Sequence, residues 1–121
     1  VMRRGDELPR VAPETPLSAG LMEMSRKGLG MTAVVDAAGA VLGIFTDGDL
    51  RRALDARVDV HAVSMQQVMT RGGHRIGPRE LAAAAARQME THRVTVLLVV
   101  DERQRLVGAL NVHDLMRAGV V

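Results

Sequence analysis

Apolar positions along the chain follow two spacings, and both come round twice in the same order. Leu17, Leu21 and Met24 recur at intervals of three or four residues, as do Leu81, Ala85 and Met89. That is the stripe a helix turns towards a core, and it predicts helices over 17–27 and 80–91. Each is followed by two apolar runs rich in β-branched residues, 32–35 with 41–45 and 94–100 with 106–110, which read as paired strands. Asp36-Ala37-Ala38-Gly39 and Asp101-Glu102-Arg103-Gln104 predict the hairpin turns between them. A second helix closes each half, over 48–56 and 112–117. A short extended piece opens it, Leu8 to Val11 and Arg75 to Ile76.

The halves are copies. VMRRG at 1–5 returns as VMTRG at 68–72. From Pro13 onward an offset of 65 superposes Pro13 on Pro78, Met24 on Met89, Gly43 on Gly108 and Asp49-Leu50 on Asp114-Leu115. The matches fall on apolar runs and turns, so the unit is β-α-β-β-α, repeated over 1–60 and 61–121. The fold class is α/β of the α+β type. Neither copy is large enough to bury its own sheet well, so the two are expected to pack together.

Composition narrows the function. A hydrophobic content of 47% over 121 residues supports a real core and argues against disorder. With no cysteine there is no disulfide framework and no thiolate site. A net charge of +2 and a lone aromatic, Phe45, give neither the field nor the stacking platform of a nucleic-acid binder. No apolar run approaches the roughly 20 residues of a membrane span, and the first ten residues lack the apolar core of a secretory signal. The expectation is a soluble, cytoplasmic chain with no nucleic-acid or membrane partner. It starts at Val1 within a partial motif, which reads as a piece of something longer.

Candidate chemistry centres on GIFTDGDLRRAL, 43–54. Thr46 and Asp49 stand three apart where a strand gives way to a helix, the spacing of a capping box. Asn111 and Asp114 repeat the arrangement in the second copy. The same geometry also suits a ligand: free amides at a helix start favour a phosphate, and a fixed carboxylate accepts the hydroxyls of a ribose. Cap and ligand site are both open readings of these residues.

G-x-x-T-x-x-D-L and G-x-x-N-x-x-D-L, one per copy, make the whole chain resemble a tandem pair of CBS domains, a Bateman module. The resemblance implies two such motifs packed with pseudo-two-fold symmetry and adenosyl nucleotides held in the inter-domain clefts. Carried over, it makes Thr46 the phosphate ligand, Asp49 a ribose ligand and Asp114 the ribose ligand of a second site. Asn111 departs from the Thr/Ser pattern there, and His113 stands beside it. Met31 and Thr32 lie where the family's nucleotide base meets the second strand. VMRRGDELPRV, LGMT, GIFTDGDLRRAL and HDLMRAGVV are similar to the regulatory pair of bacterial arabinose 5-phosphate isomerases, the SIS-CBS family. That closer resemblance implies an upstream SIS isomerase domain, a place in Kdo and lipopolysaccharide synthesis, and allosteric regulation. It implies CMP-Kdo, AMP or ATP as effector, no required cofactor, and a homodimer of CBS pairs or a tetrameric parent. The fragment itself is expected to catalyse nothing. The alternative is a purely structural module that mediates oligomerisation.

Other features read as structural. His61, His74, His92 and His113 have neither i, i+4 pairing nor cysteine companions, so no metal site is expected. Gly28-Leu29-Gly30 leads into a strand, which fails the dinucleotide fingerprint. Arg51 and Arg52 are expected in solvent or paired with Asp47 and Asp55. The run 82–86 is a strong helix former whose small side chains allow close helix approach.

Overall fold

The computed structural model describes residues 2–80 and 82–119. The order of elements is a 3₁₀ turn at Gly5–Glu7, β1 Arg10–Val11, α1 Leu17–Lys27, β2 Met31–Val35, β3 Val41–Thr46, α2 Asp47–Asp55, α3 Met65–Val68, β4 Thr70–Arg71, β5 Arg75–Ile76, α4 Ala82–His92, β6 Val96–Val100, β7 Leu106–Asn111 and α5 Val112–Arg117. Both β-α-β-β-α repeats are present. The turn at Gly5–Glu7, α3 and β4 have no counterpart in the sequence reading, and Leu81, assigned to a core stripe, lies outside the described residues along with Val1, Val120 and Val121.

The chain forms two compact units. One is Pro9–Gly73; the other joins Val1–Leu8 to His74–Val121. The repeat division at residue 60 and this packing division differ for a physical reason: the repeats exchange their opening segments. Thr70 and Arg71 of VMTRG pair antiparallel with Ile44 and Gly43 of β3. Arg3 of VMRRG bridges Ala109 of β7: the Arg3 amide donates to the Ala109 carbonyl at 2.8 Å, and the Arg3 carbonyl accepts the Ala109 amide at 3.1 Å.

In the first unit the sheet order is β1-β2-β3-β4. β1 runs parallel to β2, and β2 and β3 form an antiparallel hairpin that sets Met31 opposite Thr46. Leu17 and Met24 of α1, Val34, Phe45, Ala53 of α2 and Met65 of α3 make one core. Gly20 is required on α1 because the Met65 thioether lies where a Cβ would stand. The second unit repeats the scheme with sheet β5-β6-β7 and a core of Ile76, Ala85, Met89, Leu97, Val99, Leu110 and Leu115. Here Ala85 takes the place of Gly20.

The hairpin turns are built alike. The Asp36 carboxylate accepts the amides of Ala38 and Ala40, each at 2.9 Å. Asp101 accepts those of Arg103 and Arg105 at 2.8 and 3.0 Å. The Arg105 amide, more than any other donor, holds the Asp101 carboxyl below the usual carboxylate range. Each turn has one residue in the left-handed region, Gly39 at φ +86° and Gln104 at +62°. The position after the first helix of each unit is also left-handed, Gly28 at +69° and Arg93 at +56°.

Candidate functional site

The first site sits where β3 ends. Thr46 keeps an extended backbone (φ −122°, ψ 177°) and caps α2 in a reciprocal box with Asp49. Asp49 Oδ2 accepts the Thr46 amide at 2.9 Å and the Thr46 hydroxyl at 3.3 Å. Its other oxygen, Oδ1, accepts the hydroxyl of Thr70 at 2.7 Å and a guanidinium N–H of Arg52. Asp49 is only 4% exposed, so these four donors are what make its burial tolerable. Arg52 therefore pairs with Asp49, and not with Asp55 as its helical spacing allowed.

Met31 and Thr32, assigned to the base, are buried in β2, with Met31 across the ladder from Thr46. The Thr32 hydroxyl is spent on the Ala33 carbonyl at 3.2 Å. Gly30, at φ +72°, lies beneath the Asp47 carboxylate: a Cβ there would stand 3.6 Å from Asp47 Oδ2. What this end of β2 can present is therefore backbone and the Asp47 side chain.

The second site has the same address and different chemistry. Asn111 is buried at the end of β7 and its side-chain oxygen accepts the His113 amide at 2.7 Å, so it caps α5 alone. The capping box expected from Asn111 and Asp114 does not close. Instead Arg3 engages Asp114, Nε to Oδ2 at 3.1 Å and Nη2 to Oδ1 at 3.4 Å, and Arg117 contacts Oδ1 as well. The Arg3 hydrogen bond is the main reason that the Asp114 carboxyl titrates below its ordinary value, and the same bond raises Arg3. His113 is exposed on the first turn of α5.

Arg3 and Thr70 hold the same place, the variable third position of VM-x-R-G. The sequence reading passed over both. The signal was available in the two copies of that motif, which differ at this one position. Gly43 and Gly108 let the two segments cross. A Cβ on Gly43 would stand 2.5 Å from the Thr70 carbonyl oxygen, and one on Gly108 would stand 2.5 Å from the Met2 sulfur and 3.2 Å from the Arg3 carbonyl oxygen.

The remaining candidates stay apart from these sites. His74 and His92 stack on each other with ring centroids 4.0 Å apart. Among the described residues no group of three or more His, Cys, Asp or Glu is placed to hold a metal ion, and no helix is long and apolar enough to cross a membrane.

Two copies of the CBS domain model match, over residues 1–56 and 65–121. The chain belongs to the CBS domain family. Along all 121 of its residues it is 54% identical to the arabinose 5-phosphate isomerase KdsD of Pseudomonas aeruginosa and 46% identical to that of Escherichia coli. It spans 37% of the length of each of those relatives. In fold it is similar to the CBS domain pair of protein MJ0100 in complex with 5′-methylthioadenosine and S-adenosyl-L-methionine, with a TM-score of 0.85 at 19% identity, covering 98% of this chain and 94% of that one. CBSX2 in complex with AMP gives a TM-score of 0.83 at 22% identity, covering 98% and 92%. The chain is thus a CBS pair, and the two relatives that it matches along its whole length are named arabinose 5-phosphate isomerase.

Proposed function

We propose that this chain is the ligand-sensing CBS pair of an arabinose 5-phosphate isomerase that serves Kdo and lipopolysaccharide synthesis in the cytoplasm. It binds a nucleotide-type effector, an adenine nucleotide or CMP-Kdo, and passes occupancy to an upstream SIS domain of the same protein. The observation that carries this reading is the Thr46–Asp49 pair: a buried carboxylate fixed beside the first turn of α2, in a chain 54% identical throughout to a region of KdsD. Asp49 takes the ribose hydroxyls and Thr46, with the first-turn amides of α2, takes the phosphate. Asp47 and Asp49 both place negative charge in that first turn. Arg52 offsets the Asp49 charge and leaves the amides usable by an anion. Asp114 is the ribose acceptor of the second site, flanked by Asn111 and His113, and the ends of β2 at Met31 and Thr32 offer backbone to the base. Regulation requires that the effector bind two states of the parent with different affinity, and the parent assembles as a homodimer of CBS pairs or a tetramer.

Titration calorimetry with AMP, ATP and CMP-Kdo tests this. Saturable heat with at least one of them, abolished by Asp49→Ala in a chain that still melts cooperatively, is expected. Silence with all three would sink it. A second reading, a structural module without a ligand, is favoured by one observation: all four donors on Asp49 come from the protein itself. On that reading Asp49→Ala lowers the melting temperature and changes no ligand response.

A further inference from the structure

The two aspartates are closed by different partners at one equivalent position. Thr70 gives Asp49 a single neutral hydroxyl at 2.7 Å. Arg3 gives Asp114 a forked guanidinium, at 3.1 and 3.4 Å, from a side chain only 27% exposed. A ribose that docks on either carboxylate has to displace the donor already there. Releasing a hydroxyl costs one neutral hydrogen bond, which water or the sugar replaces. Releasing Arg3 breaks a charge-assisted pair and leaves a half-buried cation facing the incoming ligand. The charges around it do not resolve that. Arg117 is a second cation on the same carboxylate, and among the described residues Glu7 is the one carboxylate besides Asp114 that bears on Arg3.

We propose that Arg3 is the specificity-determining residue of the second site and selects ligands that bring their own phosphate or carboxylate beside the sugar. The ligand's anion takes over the guanidinium that Asp114 gives up, so the exchange conserves ion pairs. A neutral nucleoside has no such group and is refused there. At Asp49 the neutral Thr70 stands in the equivalent place and Arg52, like Arg117 on Asp114, stays on the carboxylate, so the selection there is weaker. The inference rests on the ribose role proposed above for the two aspartates. It goes further in assigning different ligand chemistry to the two sites and in naming the residue responsible.

Calorimetry with AMP and adenosine as probes tests it, on the wild-type chain and on Arg3→Thr, Arg3→Lys, Thr70→Arg and Asp114→Asn. Asp114→Asn identifies the second binding step by removing it. The wild-type second step is expected to favour AMP over adenosine, and Arg3→Thr to reduce that preference about tenfold, the factor for trading a charged for a neutral hydrogen bond. Arg3→Lys should keep most of the preference, because the cation remains. Thr70→Arg should raise the same preference at the first step. If Arg3→Thr folds yet leaves the AMP-to-adenosine ratio of the second step within twofold, or creates no second adenosine step where the wild type has none, the assignment of Arg3 is overturned and the nucleotide reading stands. If neither AMP nor adenosine binds the wild type or Arg3→Thr at all, the assignment of Arg3 falls, while the proposed function falls only if ATP and CMP-Kdo are silent as well.

Discussion

Asp49 and Asp114 occupy matching places in two copies of one motif and are held in opposite ways. Asp49 is tied locally, by the Thr46 amide and hydroxyl, and its distant partner is a hydroxyl. Asp114 lacks the tie to its cap residue, because Asn111 caps α5 by itself, and besides Arg117 it is held by a cation from 111 residues away. A duplicated scaffold thus keeps its backbone while single positions that touch it, Thr70 and Arg3, change what each carboxylate is for. The hairpins that carry the two carboxylates match in backbone, both with the same register shift, between Val34 and Val35 and between Val99 and Val100.

The largest expected break in this comparison comes from the crossing glycines. Gly43→Ala forces a methyl against a backbone carbonyl oxygen, which cannot swing away, whereas Gly108→Ala meets first the tip of Met2. Overpacking of this kind costs about 3 kcal/mol where nothing can give and about 1 kcal/mol where a flexible side chain can. Chemical denaturation of the two variants should separate them in that order.

Next come the carboxylates. Asp49→Ala removes the partner of the half-buried Thr46 amide and hydroxyl and breaks the cap of α2, and should cost about 2 kcal/mol, while the exposed Thr70 hydroxyl turns to water. Asp114 is the more exposed of the two carboxylates and closes no capping box, so Asp114→Ala should cost about 1 kcal/mol.

The pH response is smaller and has a definite sign. Asp114 titrates lower in the folded chain than in the unfolded one. It therefore adds stability above about pH 4, the unfolded carboxyl value, and withdraws it as the pH falls through the folded value. Arg3→Thr should flatten this acid limb in a series of thermal melts, while the contribution of Asp101, lowered by its own turn amides, persists as an internal control.

The last contrast concerns the left-handed positions, where the two residues other than glycine give the smallest effects. Arg93→Gly and Gln104→Gly, at φ +56° and +62°, should each stabilise by about 0.5 kcal/mol. Gly28→Ala and Gly39→Ala should destabilise by about 1 kcal/mol, since these occupy the same backbone region with glycine in place.

Much of this could be read from the chain because the relevant forces act over short separations. The stripe of Leu17, Leu21 and Met24 locates α1 to the residue, and the i, i+3 relation of Thr46 and Asp49 is a local hydrogen-bond geometry. The offset of 65 carried the fold from one copy to the other. The same offset misled at Asn111 and Asp114, where repetition suggested a second box. A side chain remote in sequence competes for Asp114, and no periodicity records that competition. α3 and β4 are four and two residues long. β4 exists through tertiary support, Thr70 pairing with Ile44, and leaves little pattern of its own, whereas α3 carries a local signal in the capping box of Ser64 and Gln67, whose side-chain oxygen accepts the Ser64 amide at 2.9 Å.

The exchanged VMxRG segments bear on what a single repeat does in solution. A polypeptide cut after residue 60 yields two pieces, each carrying the edge that the other lacks. A 1–60 piece lacks both the β4 edge on β3 and Met65, which packs against Gly20 in the core beneath α1. The remainder lacks the Arg3 bridge to Ala109. Joining the two repeats in one chain supplies each missing part by an intramolecular step, at roughly millimolar effective concentration for a short flexible linker.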